Sequence, residues 1–133
     1  MALVLVAGFG ALPSPRIADG YIIPTIPDVL STYGIPQIVK RVKDFACEIG
    51  EQIEPYGIVI SKYRAQLKLH ANTVRRLKNN SDAPVFETII SESGHIAEAA
   101  EFTQLSTLRQ KYGYQGQYDT YYKLTEEIMK AVA

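Results

Sequence analysis

The sequence is poor in the residues that build cross-links and metal sites. It has no tryptophan, one cysteine and two histidines among 133 residues. Because Cys47 is the sole cysteine, an internal disulfide is excluded, and its place in a helical pattern favours a small core residue over a reactive thiol. This cysteine usage suits a reducing compartment, so we expect a cytoplasmic protein.

Few side chains are suited to metal binding or catalysis. His70 and His95 are 25 residues apart, with no cysteine or paired carboxylate at ligand spacing. A metal site needs three or four converging ligands, so we predict none. Glu92, Glu98 and Glu101 are neighbours in sequence, but neither a nucleophile nor an oxyanion partner accompanies them. We therefore predict no catalytic residue and interpret these acids as solvated carboxylates.

Long hydrophobic runs are also missing. No apolar stretch reaches the roughly 20 residues of a membrane-spanning helix, so we expect no membrane partner. Residues 1–16 begin like a signal peptide, but they lack a basic start and are interrupted by two glycines and a proline. We interpret Leu3–Val6 as a buried strand before a linker, with a vector-derived or recombined N-terminus as the alternative. Residues 17–133 then form the main domain.

Acidic residues are absent from residues 57–81. The whole chain has 14 acidic and 14 basic side chains, but this segment holds six basic ones and no acid, which leaves a net −6 elsewhere. The six are Lys62, Arg64, Lys68, Arg75, Arg76 and Lys78. All except Lys62 and Arg76 fall in one sector of about 80° on a helical wheel. Such a stripe is typical of nonspecific phosphate binding, and a solvated helix face is the alternative.

Short apolar runs alternate with helical patterns along the chain. The runs predict strands at Tyr21–Ile23, Ile58–Ile60 and Val85–Ile90. Helices are predicted from Ile35 to Ile53 with Pro36 in the first turn, over Ala65–Lys78, over Ile96–Phe102 and over Asp119–Val132. This alternation predicts an α/β fold, with a partial doubly wound parallel sheet of about 3–4 strands flanked by helices.

Three stretches in this order and spacing resemble the C-terminal half of the ParA/Soj partition ATPases, relatives of MinD in the deviant P-loop superfamily. The resemblance covers about Ile17 to Ala133. Its residues are Ala18–Thr25 with Tyr33-Gly34, then Gly57–Tyr63, then Val85–Ile90 through Ala97–Ala99, Tyr112-Gly113 and Tyr121–Ile128. A MinD-like or cobyrinic-acid amidase-like relative from the same superfamily is a weaker alternative.

The resemblance implies a fold whose other half performs the chemistry. In that family a phosphate loop and an aspartate strand bind ATP and magnesium. Here Gly8-Phe9-Gly10 is followed by no lysine and Ser/Thr pair, so it is not a phosphate loop. We therefore expect a truncated P-loop-NTPase-like domain that needs no cofactor and is not an enzyme by itself. A separate phosphate-loop subunit would be a suitable partner.

Two ligand predictions follow from the resemblance. Loops of the family approach the adenine base at positions matching Ser61, Lys62, Ser91 and Glu92. Ser91 stands where the family usually has proline, which weakens the expected nucleotide site. ParA-type proteins also bind DNA nonspecifically, which favours the phosphate-binding interpretation of the basic stripe.

A homodimer is the remaining expectation. Strands that are apolar on both faces, without the other half of the fold, should leave an edge and some apolar surface uncovered. Tyrosines of the last helix, namely Tyr118, Tyr121 and Tyr122, are suited to interface contacts. The rival hypothesis to a DNA-partition protein is therefore a structural or interaction module that self-associates.

Overall fold

The computed structural model describes residues 4–6, 19–80, 82–93 and 116–132. Within these ranges the chain forms three strands and three helices. In chain order they are β1 (Val4–Val6), β2 (Gly20–Thr25), α1 (Val29–Ile49), β3 (Glu54–Ile60), α2 (Lys68–Asn80) and α3 (Gln117–Val132). The predicted α/β class is confirmed. The predicted helix Ile96–Phe102 lies outside the described residues.

The strands form one sheet in the order β1-β2-β3. β2 and β3 are parallel, with Ile23 opposite Ile58 and Thr25 opposite Ile60, and α1 is the crossover between them. β1 pairs with the other edge of β2 in the antiparallel direction, with Val4 opposite Ile22. The two predicted central strands are therefore confirmed, and the N-terminal strand is present as an antiparallel neighbour.

The predicted strand Val85–Ile90 is an extended segment rather than a continuous strand. It makes isolated parallel bridges to the β3 side, between Ile58 and Val85 and between Tyr63 and Ser91. The Phe86 N–H donates to the Ile58 carbonyl at 3.0 Å, and the Ile90 N–H donates to the Ile60 carbonyl at 2.9 Å. Among the described residues, the parallel sheet consists of β2 and β3, with this segment along the free edge of β3.

Alternate residues of β2 and β3 point to opposite faces of the sheet. Tyr21 and Ile23 belong to a core cluster that also contains Ile35 of α1 and Val74 of α2. Ile22 belongs to a second cluster with Val59, Phe86 and Leu124 of α3. The sheet therefore has α1 and α2 on one face and α3 on the other.

α1 begins earlier than the sequence pattern predicts. Asp28 caps it, with its carboxylate accepting from the Ser31 N–H at 2.6 Å. Gly34 and Pro36 both lie inside the helix, although the predicted helix starts at Ile35 with Pro36 in its first turn. Pro36 is exposed, so its missing N–H affects the solvent side of the helix. The helix therefore continues through two residues that usually weaken helices, and Thr32 and Ile35 beside them are buried.

The C-terminal part of α1 is less buried than predicted. The helix ends at Ile49, before Gly50 in the left-handed region at φ 71°, and not at the predicted Ile53. The apolar side chains of Phe45 and Ile49 are 44% and 39% exposed, and Cys47, expected in the core, is also exposed. The apolar spacing of 3–4 residues predicted the burial of Ile35 correctly. The same spacing continues into the part of the helix that the sheet does not cover, where the apolar side chains are exposed.

Candidate nucleic-acid interface

The outer face of α2 carries cations and amides. Lys68 and Arg75 are exposed and lie about 180° around the helix from the buried Leu77. Asn72 and Asn79 are exposed on the same side, and α2 contains no acidic residue. We call Lys68, Asn72, Arg75 and Asn79 the α2 outer row. Its charge and hydrogen-bonding groups suit an anionic backbone better than an apolar partner.

Arg64 does not belong to the helical stripe predicted for it. α2 begins at Lys68, so Arg64 lies in the preceding loop. Its Nε is 3.2 Å from Glu92 Oε2, and both side chains are about half exposed. The backbone aligns this pair, because the Tyr63 N–H donates to the Ile90 carbonyl at 3.1 Å and the Glu92 N–H donates to the Tyr63 carbonyl at 3.0 Å.

Two further predicted cations also have partners. Lys78 Nζ on α2 is 3.4 Å from the Oε2 atom of Glu87, which belongs to the extended segment. Arg76 Nη2 donates to Thr32 Oγ1 at 3.4 Å and so links α2 to α1. Within the described ranges no ion pair joins an acid to Lys62, Lys68 or Arg75. The six predicted DNA-binding residues therefore divide into three engaged and three available side chains.

The four predicted nucleotide-binding residues do not share one site. Ser61 lines a cavity of about 550 Å³ beside Thr25 and the start of α1. Ser91 and Glu92 line a different cavity of about 340 Å³ next to the start of α3. Lys62 is exposed and has a left-handed backbone at φ 53°, which is unusual for a lysine. The first cavity lies where the parallel strands β2 and β3 end, the usual position of ligands in α/β folds, and the second lies where the extended segment ends.

Gln117 is a polar residue of the second cavity that sequence patterns did not reveal. Its Nε2 donates to Ser93 Oγ at 3.1 Å, while its Oε1 is buried without a hydrogen-bond partner among the described residues. Together with Thr120 it gives the cavity a hydrogen-bonding wall. A glutamine at the start of a helix has no distinctive pattern, so the sequence offered no signal for it.

Glu127 of α3 holds the extended segment in place. Its carboxylate accepts from the Glu87 N–H at 2.8 Å, from the Thr88 N–H at 2.7 Å and from the Thr88 hydroxyl. Burial by itself raises the pKa of Glu127, but the Thr88 hydroxyl, the two N–H groups and the nearby Lys130 together lower the pKa below its usual value. The sequence could have indicated this residue only by its helical phase next to the inward-facing Leu124 and Ile128.

His70 is a buried hydrogen-bond acceptor. It is 7% exposed, and its Nδ1 accepts from the Arg64 N–H at 3.0 Å. This bond ties the loop carrying Lys62 and Arg64 to the first turn of α2. In the part of the chain that the structure describes, no group of three or more histidine, cysteine or acidic side chains could hold a metal ion.

No helix within the described ranges is both long enough and apolar enough to cross a bilayer.

Comparison with known proteins gives two curated relatives of low identity. No family model matches the chain. Two curated proteins of Pseudomonas putida, described as "Uncharacterized protein" and "Uncharacterized protein in gidB 3'region", are each 25% identical over 85 residues. The match covers 64% of this chain and 32% of each relative. The chain thus spans about a third of the length of the curated relatives it matches.

Proposed function

We propose that this chain is a ParA-like DNA-partition protein fragment without ATP-hydrolysing motifs that binds DNA nonspecifically. The observation that carries the proposal is the α2 outer row, which is exposed and free of acidic residues. The parallel β2–α1–β3 unit supports it, because such units build the doubly wound sheets of that superfamily. A DNA-partition role also implies a cytoplasmic location.

The spacing of the α2 outer row suits the DNA backbone. Lys68 and Arg75 are seven residues apart, which corresponds to about 10 Å along a helix axis. Phosphates of one DNA strand follow each other at about 3.4 Å of axial rise, so the two cations match phosphates about three steps apart. Asn72 and Asn79 can donate hydrogen bonds to the same backbone. Nothing in this arrangement requires a particular base sequence.

The DNA-binding proposal is tested with Arg75→Ala and a matched control. Arg75→Ala should weaken binding to two unrelated duplexes equally and lower the magnitude of the log–log salt slope by about 0.9, since one phosphate contact is lost. The control is Arg41→Ala, which removes an exposed cation from α1. Fluorescence anisotropy over a salt titration measures both. Binding that persists at high salt, or that differs between the duplexes, contradicts the proposal.

ATP hydrolysis is not part of the proposed function. Ser61 lines one cavity, whereas Ser91 and Glu92 line another. Neither cavity therefore resembles a complete pocket for an adenine base. We propose that any nucleotide chemistry belongs to a separate phosphate-loop subunit, to which this chain would contribute the end of its sheet.

The second candidate function is a structural or interaction module that forms a homodimer. It is favoured by Tyr122 and Met129 on α3, which are 57% and 66% exposed and two helical turns apart. Aromatic residues and methionine are enriched in protein interfaces. A stable dimer with no affinity for DNA would favour this function over the first.

A further inference from the structure

We propose that Glu87 and Glu92 compete with DNA inside the chain. Each forms an ion pair with a cation that would otherwise contact a DNA phosphate. The inference rests on the proposed DNA-binding function and adds a limit that the chain places on it. The basis is that the cation-rich region holds no acid of its own, yet two of its cations are neutralised by acids from one other segment.

The two acids reach their partners because the backbone of the extended segment is fixed at both ends. Near its C-terminal end, the hydrogen bond from the Glu92 N–H to the Tyr63 carbonyl places Glu92 beside Arg64. Near its N-terminal end, Glu127 holds the N–H of Glu87 while the Glu87 side chain extends to Lys78. Each contact is thus specified by the register of the segment.

The positions of the pairs matter for an approaching polyanion. Arg64 precedes the first turn of α2, and Lys78 lies in its last turn, so the pairs occur near opposite ends of the helix. Between them lie Lys68 and Arg75 of the α2 outer row. A DNA strand along this row would meet a carboxylate near each end, and each would both repel phosphates and retain a cation.

The competition should be graded rather than absolute. Both pairs are exposed to solvent, with side-chain exposures of 55% and 54% for Arg64–Glu92 and of 38% and 84% for Lys78–Glu87. Exposed ion pairs are weak and exchange readily for other partners. Phosphates can therefore displace the carboxylates, and removing a carboxylate should increase affinity several-fold without being required for binding.

The experiment uses the full chain with Glu87→Gln, Glu92→Gln and the double variant, titrated with random-sequence duplex DNA over a range of salt. Each single change should tighten binding several-fold and steepen the log–log salt slope by about 0.9, since one more phosphate contact forms. Glu126→Gln is the matched control. It makes the same change in net charge at an exposed site on α3.

The outcomes separate this inference from the function on which it rests. Glutamine variants whose slope and affinity change no more than those of Glu126→Gln overturn the inference, while wild-type binding leaves the DNA function standing. Binding by the double variant alone contradicts both the graded competition and the DNA binding proposed for the unchanged chain. Absence of binding by every variant at low salt overturns both. Unchanged circular dichroism confirms that the variants remain folded.

Discussion

The two faces of the sheet are covered in different ways. On one face, α1 and α2 pack on a cluster of ten buried residues that includes Tyr21, Ile23 and Ile58. On the other, α3 packs on a cluster that, within the described ranges, has four buried residues, including Ile22 and Leu124. The second face adds a polar attachment, because Glu127 binds the backbone of the extended segment.

This difference indicates that the two faces of the sheet have different roles. Among the described residues the first face buries more apolar side chains, so it should provide most of the hydrophobic stabilisation within that part of the chain. The second face holds the extended segment, which carries Glu87 and is followed by Glu92, and it does so through the carboxylate of Glu127, whose hydrogen bonds depend on its charge. The first face therefore maintains the fold, while the second positions the acids that face the basic surface.

The largest expected effect comes from neighbouring isoleucines of β2. Ile23→Ala and Ile22→Ala remove the same atoms from opposite faces, at residues that are 0% and 6% exposed. Buried Ile→Ala changes cost about 2–5 kcal/mol in the free energy of unfolding, and we expect Ile23→Ala near the upper limit and Ile22→Ala near the lower. Urea denaturation monitored by circular dichroism measures both.

If either alanine variant fails to fold, Ile23→Val and Ile22→Val provide the same comparison at about 0.5–1.5 kcal/mol each. Equal losses at the two positions, or a larger loss for Ile22, would contradict the conclusion that the α1–α2 face dominates stability.

A smaller effect is expected from Glu127→Gln. The pKa of the Glu127 carboxyl is lowered in the folded chain, so its ionised form stabilises the fold at neutral pH. That contribution should be lost as the pH falls through the lowered pKa, on the acid side of the usual range for glutamate. At neutral pH the substitution should cost about 1 kcal/mol, because solvent screens a partly exposed carboxylate.

Glu126→Gln is the control, since its exposed carboxylate is the sequence neighbour of Glu127. Urea titrations at neutral and acidic pH should show the two variants converging in stability as the pH falls. A Glu127→Gln variant that keeps the wild-type loss of stability between neutral and acidic pH would exclude the proposed role of the charge.

Much of the fold was predictable because local patterns determine it. The continuous apolar runs of β2 and β3 mark strands buried on both faces, and both were found at the predicted positions. The predicted start of α1 was wrong. Gly34 and Pro36 suggest a break before the helix, whereas Asp28 caps a turn that begins earlier. The direction of β1 depends on tertiary pairing, which no local pattern contains.

The candidate interface was predictable in composition but not in arrangement. The absence of acids from residues 57–81 marks the basic region in the sequence itself. The sequence could not show that Arg64 pairs with Glu92 or Lys78 with Glu87, because these contacts depend on the register of a distant segment. Whether the region binds DNA, and whether Ser61 or Ser91 contacts a nucleotide, stays a prediction.

The smallest effect on the free energy of unfolding is expected for substitutions on the exposed surface of α3. Their effect on dimer formation should nevertheless be clear. If the chain forms a dimer through α3, the double variant Tyr122→Ser and Met129→Ser should weaken the dimer about tenfold or more, since central interface residues contribute about 1 kcal/mol or more each. The free energy of unfolding of the monomer should change by less than about 0.5 kcal/mol per site, because both side chains are mostly exposed.

The matched control for this prediction is the double variant Leu30→Ser and Tyr33→Ser on α1, whose side chains are 83% and 66% exposed. It removes a similar amount of exposed apolar surface from the opposite layer, so it separates a specific α3 interface from general hydrophobic association. Light scattering at micromolar concentration should show a dimer for the control and a shift towards monomer for the α3 variant. A wild-type monomer at that concentration would contradict the dimer, and an equal effect of both variants would contradict the assignment of its interface to α3.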